Sequence, residues 1–173
     1  DILHPEYNTY IRITPTKVSA TAADSGSSAE YAIDGKADTV YTLSGQTANS
    51  MANQYLLIEF DGETPIDRIV IDRQYHAGGI TQYDHWPDWC LAVGCELQGS
   101  FDGENWETLT VLSGLPTTKA TRYASDYVIA GKKFKHFRFN VISSSLNKNY
   151  FHIAEIYFYD VEVEVYDPET IPL

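Results

Sequence analysis

The chain has 173 residues, 43% of them hydrophobic, which suits one domain with its own core and excludes a disordered composition. Its formal net charge of −12, with only 12 Lys and Arg in total, disfavours binding to nucleic acid and to anionic membranes, since both need a basic face. The acidity serves solubility and suits neutral or cationic ligands and divalent cations.

Strand patterns follow one another along the chain, and no amphipathic helix of ordinary length separates them. In 55–60, for example, Leu56, Ile58 and Phe60 alternate with residues of the opposite face. A short helical turn is predicted at 28–33. Asp102-Gly103, between two strand patterns, predicts a hairpin. The predicted strands are 17–21, 55–60, 68–73, 96–101, 106–112, 123–128, 135–141 and 153–159. Strands joined by polar loops predict an all-β antiparallel sandwich.

Three long polar segments, 41–54, 74–94 and 143–152, interrupt the strand patterns. Long loops in a compact domain usually carry function or disorder. The middle segment is rich in aromatic residues and holds Trp86 and Trp89, two of the three tryptophans of the chain.

The two cysteines, Cys90 and Cys95, are too few for a disulfide framework and do not resemble a zinc site. A local bridge between them and two partly buried thiols both remain open. No segment is long and apolar enough for a transmembrane helix. We expect one domain over 1–160, followed by a strand end or linker over 161–173, in a mature or excised part of a larger protein.

Residues 32–39, Ala-Ile-Asp-Gly-Lys-Ala-Asp-Thr, resemble the Ala-x-Asp-Gly-x-x-x-Thr signature of coagulation factor 5/8 type C (discoidin) domains. Within that superfamily the chain is most similar to carbohydrate-binding module family 32. Further motifs follow in the order of the family, and they lie at 54–60, 71–74, 100–106, 137–139 and 153–156. The resemblance covers 17–160 and implies an eight-stranded jelly-roll sandwich. Its hairpin motif, Ser-x-Asp-Gly-x-x-Trp, makes Trp106 a core residue.

The resemblance also implies a structural calcium ion between the Asp-Gly loop and the last strand. Its implied side-chain ligands are Asp34, Thr39 and Glu155, and its implied carbonyl ligands are Tyr31, Lys36, Thr39 and Ala154. Calcium takes six to eight hard oxygen ligands, so such a mixed set is chemically reasonable. Taken from the local residues alone, an ordinary Asp-Gly turn and an unrelated Ala-Glu pair would be the preferred interpretation.

Galactose-binding members of the family use a His and a Trp after the calcium loop, an Arg, an Asn and a late aromatic residue. Arg73 matches the Arg, and Tyr150 or Phe151 is suitably placed for the aromatic residue. Segment 41–45 has neither the His nor the Trp, and Gly78 stands at the position of the Asn. Residue by residue, the galactose-type pocket is therefore not supported.

The aromatic loop 74–90 is the expected substitute. A sugar site needs an aromatic ring against the apolar face of a pyranose and polar groups for its hydroxyls. Trp86 or Trp89 would be the stacking platform, and His85 or Asp88 would bind hydroxyls. Alternatively, the rings cover core, and Arg73 pairs with a carboxylate such as Asp84. The expected ligand-binding residues are Arg73, Tyr75, His76, His85, Trp86, Trp89, Asn149 and Tyr150.

These observations predict a non-catalytic carbohydrate-binding module that directs a larger secreted or surface enzyme or adhesin to glycans. A protein-binding adhesion module of the discoidin type is the alternative. Catalysis is disfavoured because no nucleophile motif, zinc helix or phosphate loop is present. We expect a monomeric domain, outside the cell or on a bacterial cell surface, with a glycan as partner and no nucleic acid or membrane.

Overall fold

The computed structural model describes residues 8–36, 38–44, 52–63, 66–72, 93–112, 124–144 and 150–163. These residues form strands and one short 3-10 helix, Ala29–Ala32. The strands are β1 Asn8–Ile13, β2 Lys17–Ala20, β3 Tyr41–Ser44, β4 Tyr55–Glu59, β5 Ile66–Asp72, β6 Val93–Ser100, β7 Glu107–Leu112, β8 Ala124–Lys132, β9 His136–Ser144, β10 Tyr150–Ile153 and β11 Glu155–Val163.

The strands form three sheets, and neighbouring strands in each are antiparallel. One sheet has five strands in the order β2-β4-β9-β6-β7, and another has four in the order β1-β11-β5-β8. Strands β10 and β3 make a separate two-stranded ribbon. This confirms the prediction of an all-β antiparallel sandwich.

The alternating apolar residues produce this architecture because successive side chains of a strand point to opposite faces. In β4, Leu56 and Ile58 are fully buried, whereas their strand neighbours are half-buried. They pair directly with Phe139 and Phe137 of β9, which are also fully buried. Such pairs of large apolar residues across the ladder stabilise the inner face of the five-stranded sheet.

Aromatic rings join the two large sheets across the core. The rings of Phe137 in β9 and Phe158 in β11 lie 5.6 Å apart between centroids. Phe60, directly after β4, packs edge-on against both rings, at 6.0 Å from Phe137 and 5.2 Å from Phe158. Edge-to-face pairs of this kind add about 0.5–1.5 kcal/mol beyond the burial of apolar area.

All eight predicted strands are present, with ends that differ by a few residues. Three further strands, β1, β3 and β10, lie where no strand was predicted, so the described residues form eleven strands instead of eight. Strands β3 and β10 fall largely inside two of the segments that were predicted to be irregular. Strand β1 pairs with β11 from Asn8↔Val163 to Ile13↔Phe158, and β11 continues for three residues into 161–173, the range expected to be a strand end or linker.

The prediction that Trp106 belongs to the core was wrong. Its side chain is half-buried and lies on the outer face of the five-stranded sheet, where the Arg138 guanidinium stacks on its ring at 4.1 Å from the centroid. The residue precedes β7, the edge strand of that sheet, so its ring covers a side chain of the outer face instead of entering the space between the sheets. Cys95 is fully buried, and Cys90 lies outside the described residues.

Candidate functional site

The Asp34 loop connects the 3-10 helix to β3 and meets the first residue of β11. The helix ends where the N–H of Ile33 donates to the carbonyl of Glu30 at 3.1 Å. Gly35 then adopts a φ of +75°, in the left-handed region that glycine enters without steric cost. This turn directs two successive N–H groups, of Gly35 and Lys36, at Oε1 of Glu155, at 2.6 and 3.1 Å.

The Asp34 carboxylate lies in the same cluster of oxygen atoms. Its Oδ1 accepts a hydrogen bond from the N–H of Lys36 at 2.9 Å. The Thr39 hydroxyl oxygen lies 2.9 Å from both Asp34 oxygens and 3.4 Å from the Lys36 carbonyl oxygen. A hydroxyl has a single hydrogen to donate, so three acceptors around Thr39 exceed what it can satisfy.

Burial and the neighbouring carboxylate together make Glu155 unusual. Its side chain is 3% exposed, and its Oε2 atom is buried with no hydrogen-bond partner. Burial, followed by the neighbouring Asp34 carboxyl group, raises the pKa of Glu155 to about 7. Burial also acts to raise the pKa of Asp34, but hydrogen bonds from Lys36 and Thr39 outweigh it and hold that pKa below its ordinary value.

This cluster fits a hard cation. A divalent ion between the Asp34 and Glu155 carboxylates would bind both of them. It would also give a partner to the buried Oε2 atom of Glu155 and to the oxygen atoms that the single Thr39 hydroxyl cannot satisfy. In the described part of the chain, no group of three or more His, Cys, Asp or Glu side chains could hold a metal. A cation here would therefore depend on backbone carbonyls as well, which calcium accepts and which softer metals disfavour.

The six predicted calcium ligands are all within the described residues. Contacts bring together the side chains of Asp34, Thr39 and Glu155 and the backbone of Lys36. Ala154, which is 2% exposed, lies between β10 and β11 directly before Glu155. Tyr31 lies in the 3-10 helix, three residues before Asp34.

Several strand ends meet at the end of the sandwich that holds Glu155. The last residue of β5, Asp72, pairs with Glu155 and with the first residue of β8. The first residue of β6, Val93, pairs with Ser144 at the end of β9. The described strand ends that flank 73–92 and 113–123 therefore lie at this one end, together with the end of β9.

The ribbon of β3 and β10 adds a further segment to this end. Ile153 pairs with Tyr41 next to Glu155, and Tyr150 pairs with Ser44 at the far end of the ribbon. The last residue of β3, Ser44, therefore lies beside the first residue of β10, Tyr150. Tyr41 and Phe151 fix the ribbon to the core, because both are fully buried and their rings meet edge-on at 5.8 Å.

The predicted ligand-binding residues mostly lie outside the described residues. Only Tyr150 belongs to a described strand, as the first residue of β10. The others, which the structure does not describe, are Arg73, Tyr75, His76, His85, Trp86, Trp89 and Asn149. Their role remains a prediction, and the structure establishes only which strand ends flank the segments that contain them.

Sequence analysis assigned no role to one polar cluster. The guanidinium of Arg138 in β9 lies over the rings of Trp106 and Tyr55, at 4.1 and 5.5 Å from their centroids. Its Nε atom donates to Gln98 of β6 at 2.6 Å. The sequence did indicate the position of Arg138, because the alternation of β9 places it on the face opposite to Phe137 and Phe139.

No helix of the described residues is long and apolar enough to span a membrane. No protein-family model matches the sequence, and no curated protein is significantly similar to it.

Solved structures with the same fold are carbohydrate-binding modules and a factor 5/8 type C domain. The family 32 module of NanJ from C. perfringens, in complex with galactose, is 15% identical, with a TM-score of 0.65 over 88% of this chain and 100% of that chain. The family 32 module of AlyQ, in complex with 4,5-unsaturated mannuronic acid, is 16% identical, with a TM-score of 0.60 over 86% and 97%. An F5/8 type C domain from Bacteroides fragilis is 19% identical, with a TM-score of 0.62 over 89% and 98%. The chain therefore has the discoidin β-sandwich fold.

Proposed function

We propose that this chain is a non-catalytic carbohydrate-binding module that binds glycans through the loops at the Glu155 end of its sandwich. The observation that carries the proposal is the convergence of strand ends there: β5, β7 and β9 end, and β6, β8 and β11 begin, on the side of the Asp34–Glu155 contact, where β3 also begins and β10 ends. A rigid sandwich with variable loops at one end is a common arrangement for binding sites.

The sugar site would lie in the segment between Asp72 and Val93. Trp86 or Trp89 would cover the apolar face of a pyranose, and Arg73, His76 or His85 would bind its hydroxyls. Further contacts would come from Asn149 and Tyr150, because β10 runs from Tyr150 to Ile153 and ends beside Glu155. Structures of this fold carry galactose in one case and 4,5-unsaturated mannuronic acid in another, which supports a glycan as the ligand class.

The Asp34 loop would hold a structural calcium ion in this proposal. Its ligands would be the side chains of Asp34, Thr39 and Glu155, and the carbonyls of Tyr31, Lys36, Thr39 and Ala154. Bound there, the ion would neutralise two carboxylates and tie an early loop to the last sheet strand. The orphaned Oε2 atom of Glu155 supports this role. The residues of the Asp34 loop, together with Glu155, would hold the strand ends from which the binding loops extend.

The proposed module would belong to a larger protein outside the cell or on its surface. Truncated AlyQ has been solved with a family 32 module and an alginate lyase domain, and this chain covers 35% of that chain. In such an arrangement the module would keep the partner domain near its polysaccharide, and no residue of this chain would take part in catalysis.

A glycan array in calcium-containing buffer tests the proposal, with the wild-type chain beside Trp86→Ala and Trp89→Ala. The matched control is Phe101→Ala, which removes a 55% exposed ring from the hairpin at the opposite end of the sandwich. Loss of one stacking contact costs about 1–3 kcal/mol, by analogy with bases that stack on aromatic side chains, so binding should fall about tenfold or more in one tryptophan variant. The control should bind as the wild type does.

Two outcomes would contradict the proposal. A folded wild-type chain that binds no glycan would favour the protein-binding adhesion module instead, and the same tryptophan variants would then be tested on candidate protein partners. Glycan binding that survives both tryptophan substitutions would place the site elsewhere than segment 73–92.

A further inference from the structure

The outer face of the five-stranded sheet carries a cluster that we name the arginine platform: Tyr55, Gln98, Trp106 and Arg138. Arg138 lies near the centre of this sheet, where it pairs with Leu57 of β4 on one side and with Gln98 of β6 on the other. The Trp106 and Tyr55 rings flank its guanidinium at 4.1 and 5.5 Å. Because arginine stacks well on aromatic faces, the two rings hold the cation in one orientation.

Gln98 fixes the remaining freedom of the guanidinium. The Gln98 side chain is 8% exposed, and its Oε1 atom accepts a hydrogen bond from Nε of Arg138 at 2.6 Å. Its amide nitrogen donates to the Glu96 carboxylate at 2.9 Å and to the Thr108 hydroxyl at 3.2 Å. Both ends of the amide are therefore occupied, and the amide cannot rotate without losing bonds.

The terminal nitrogens of the guanidinium make no hydrogen bond within the described residues. Within the described residues, the bond from Nε is the only side-chain hydrogen bond of Arg138, and no described carboxylate forms an ion pair with it within 4.0 Å, although the charge of Glu96 acts on the guanidinium. The nearby Glu96 carboxylate accepts from Gln98 instead. The Arg138 guanidinium is half-buried and held in place by stacking, and its two terminal nitrogens are unpaired among the described residues. It is therefore preorganised to bind a carboxylate through two parallel hydrogen bonds.

We propose that the arginine platform binds the carboxylate of a uronic acid unit in an acidic glycan. The flat rings beside the cation offer apolar contact for a pyranose, and the fixed guanidinium supplies the local positive charge that an acidic ligand needs on a protein whose net charge of −12 otherwise repels it. The inference rests on the proposed function in taking a glycan as the ligand. It assigns a second surface, on the side of the sheet, apart from the loops beside Glu155.

The test uses short oligogalacturonates and the same oligomers with methyl-esterified carboxyl groups. Both probes present the same rings and hydroxyls, so their difference isolates the carboxylate. By isothermal titration in 0.15 M salt, the acid form should bind about tenfold or more tightly than the ester, since a hydrogen bond to a charged group contributes about 1.5–3 kcal/mol. Equal affinity of the two probes would overturn the proposal, and so would absence of binding by the acid form.

Two variants locate the site. Arg138→Lys keeps the charge but removes the planar fork, and it should weaken acid-form binding about tenfold. Arg12→Lys is the matched control, because Arg12 also stacks on a tyrosine, Tyr157, at 4.8 Å, but on the four-stranded sheet. The control should bind as the wild type does, and equal losses in both variants would overturn the assignment. Circular dichroism and the Tm establish that each variant is folded.

Tryptophan fluorescence separates this surface from the loops without disturbing Arg138. In Trp86→Phe/Trp89→Phe, Trp106 is the only tryptophan left, and the acid oligomer should change its emission while the ester does not. If loop tryptophan variants abolish glycan binding and Trp106 emission never responds, the platform proposal fails and the loop proposal stands. If Trp106 emission responds and the loop variants do not change glycan binding on the array, the platform proposal stands and the loop proposal fails. A response to a poly-aspartate peptide equal to that for the oligomer would also overturn the proposal, by identifying an acidic protein as the ligand.

Discussion

The N–H of Gly35 donates a hydrogen bond of 2.6 Å to the side chain of Glu155, a residue 120 positions later in the chain. This contact joins the loop after the 3-10 helix to the first residue of β11, at the end of the sandwich where the long segments begin and end. The second Glu155 oxygen is buried without a hydrogen-bond partner, and the neighbouring Asp34 carboxyl group contributes to the raised pKa of Glu155. Backbone N–H groups therefore stabilise the Glu155 side chain in this position, whereas the adjacent Asp34 carboxylate destabilises its charged form.

Calcium should stabilise the wild-type chain and not Glu155→Gln. A ligand at a hundredfold excess over its Kd stabilises a folded protein by about 2.7 kcal/mol, which raises the Tm of a domain of this size by about 5–10 °C. In the presence of a chelator, Glu155→Gln should have a higher Tm than the wild type. The neutral amide of the variant relieves the repulsion from Asp34 and can donate a hydrogen bond to that carboxylate. Differential scanning fluorimetry with and without calcium measures both effects.

Glu63→Gln is the control for that experiment, since Glu63 is exposed and lies in the turn between β4 and β5. It should gain the same increase in Tm as the wild type when calcium is added. A calcium response that Glu155→Gln retains in full would show that the ion binds elsewhere.

Tyr41→Phe should destabilise the fold by about 1–3 kcal/mol, the usual cost of leaving a buried polar group unsatisfied. The Tyr41 side chain is fully buried, and its hydroxyl donates to the Ala22 carbonyl at 2.8 Å. Burial, with a smaller effect from Asp24, raises the pKa of this hydroxyl well above its ordinary value, so it stays protonated as a donor. Urea unfolding measures the loss. Thr16→Val, which removes an exposed hydroxyl bonded to the Glu59 carbonyl, should cost less than about 0.5 kcal/mol.

Gly99→Ala should destabilise the five-stranded sheet by about 1–3 kcal/mol through overpacking. A Cβ atom at Gly99 would lie 2.5 Å from Cδ2 of Phe134, whose side chain is 1% exposed and packs against Phe137 at 5.7 Å. Gly62→Ala is the control, because no atom lies within 4 Å of the position of its Cβ. The double variant Gly99→Ala/Phe134→Leu should recover part of the loss in a thermal unfolding series. A Gly99→Ala protein as stable as the control would contradict the packing described.

Asp102→Asn should be less stable than the wild type at neutral pH. As the pH falls, the variant should lose less of its unfolding free energy than the wild type does. Hydrogen bonds to its carboxylate, first from the Asn105 backbone and then from the Asn105 side chain, lower the pKa of Asp102 well below its ordinary value of 3.8. A carboxyl with a lowered folded-state pKa contributes stability that is present above the unfolded-state pKa and is lost as the pH falls below it.

Unfolding free energies from pH 7 down to pH 2 measure this pH dependence. The difference between the wild type and Asp102→Asn should be constant at neutral pH and shrink below about pH 4, the range of an unperturbed aspartate. Glu104→Gln, at an exposed residue of the same hairpin, is the control and should follow the wild type at all pH values. A difference that is independent of pH would mean that the carboxylate charge plays no part.

Local patterns predicted most of the fold. Alternation located β4, β5 and β9 within a few residues, because one face of each strand is buried and the other is not. Asp102-Gly103 located the hairpin, and Gly103 has the positive φ of 79° that the turn needs. The short ribbon of β3 and β10 was missed, because each has four residues and exists through pairing with a strand more than 100 residues away.

The sequence by itself determined the strand patterns, the tight turns and the oxygen-bearing side chains of the Asp34 loop, because these depend on side-chain chemistry at short spacing. Only the tertiary structure decided what those residues meet. It buried Glu155 against Gly35 and left an oxygen without a partner. It also moved Trp106 from the expected core to the outer face, under Arg138. Such contacts join distant parts of the chain, and their energies depend on burial and on neighbouring charges that no local pattern contains.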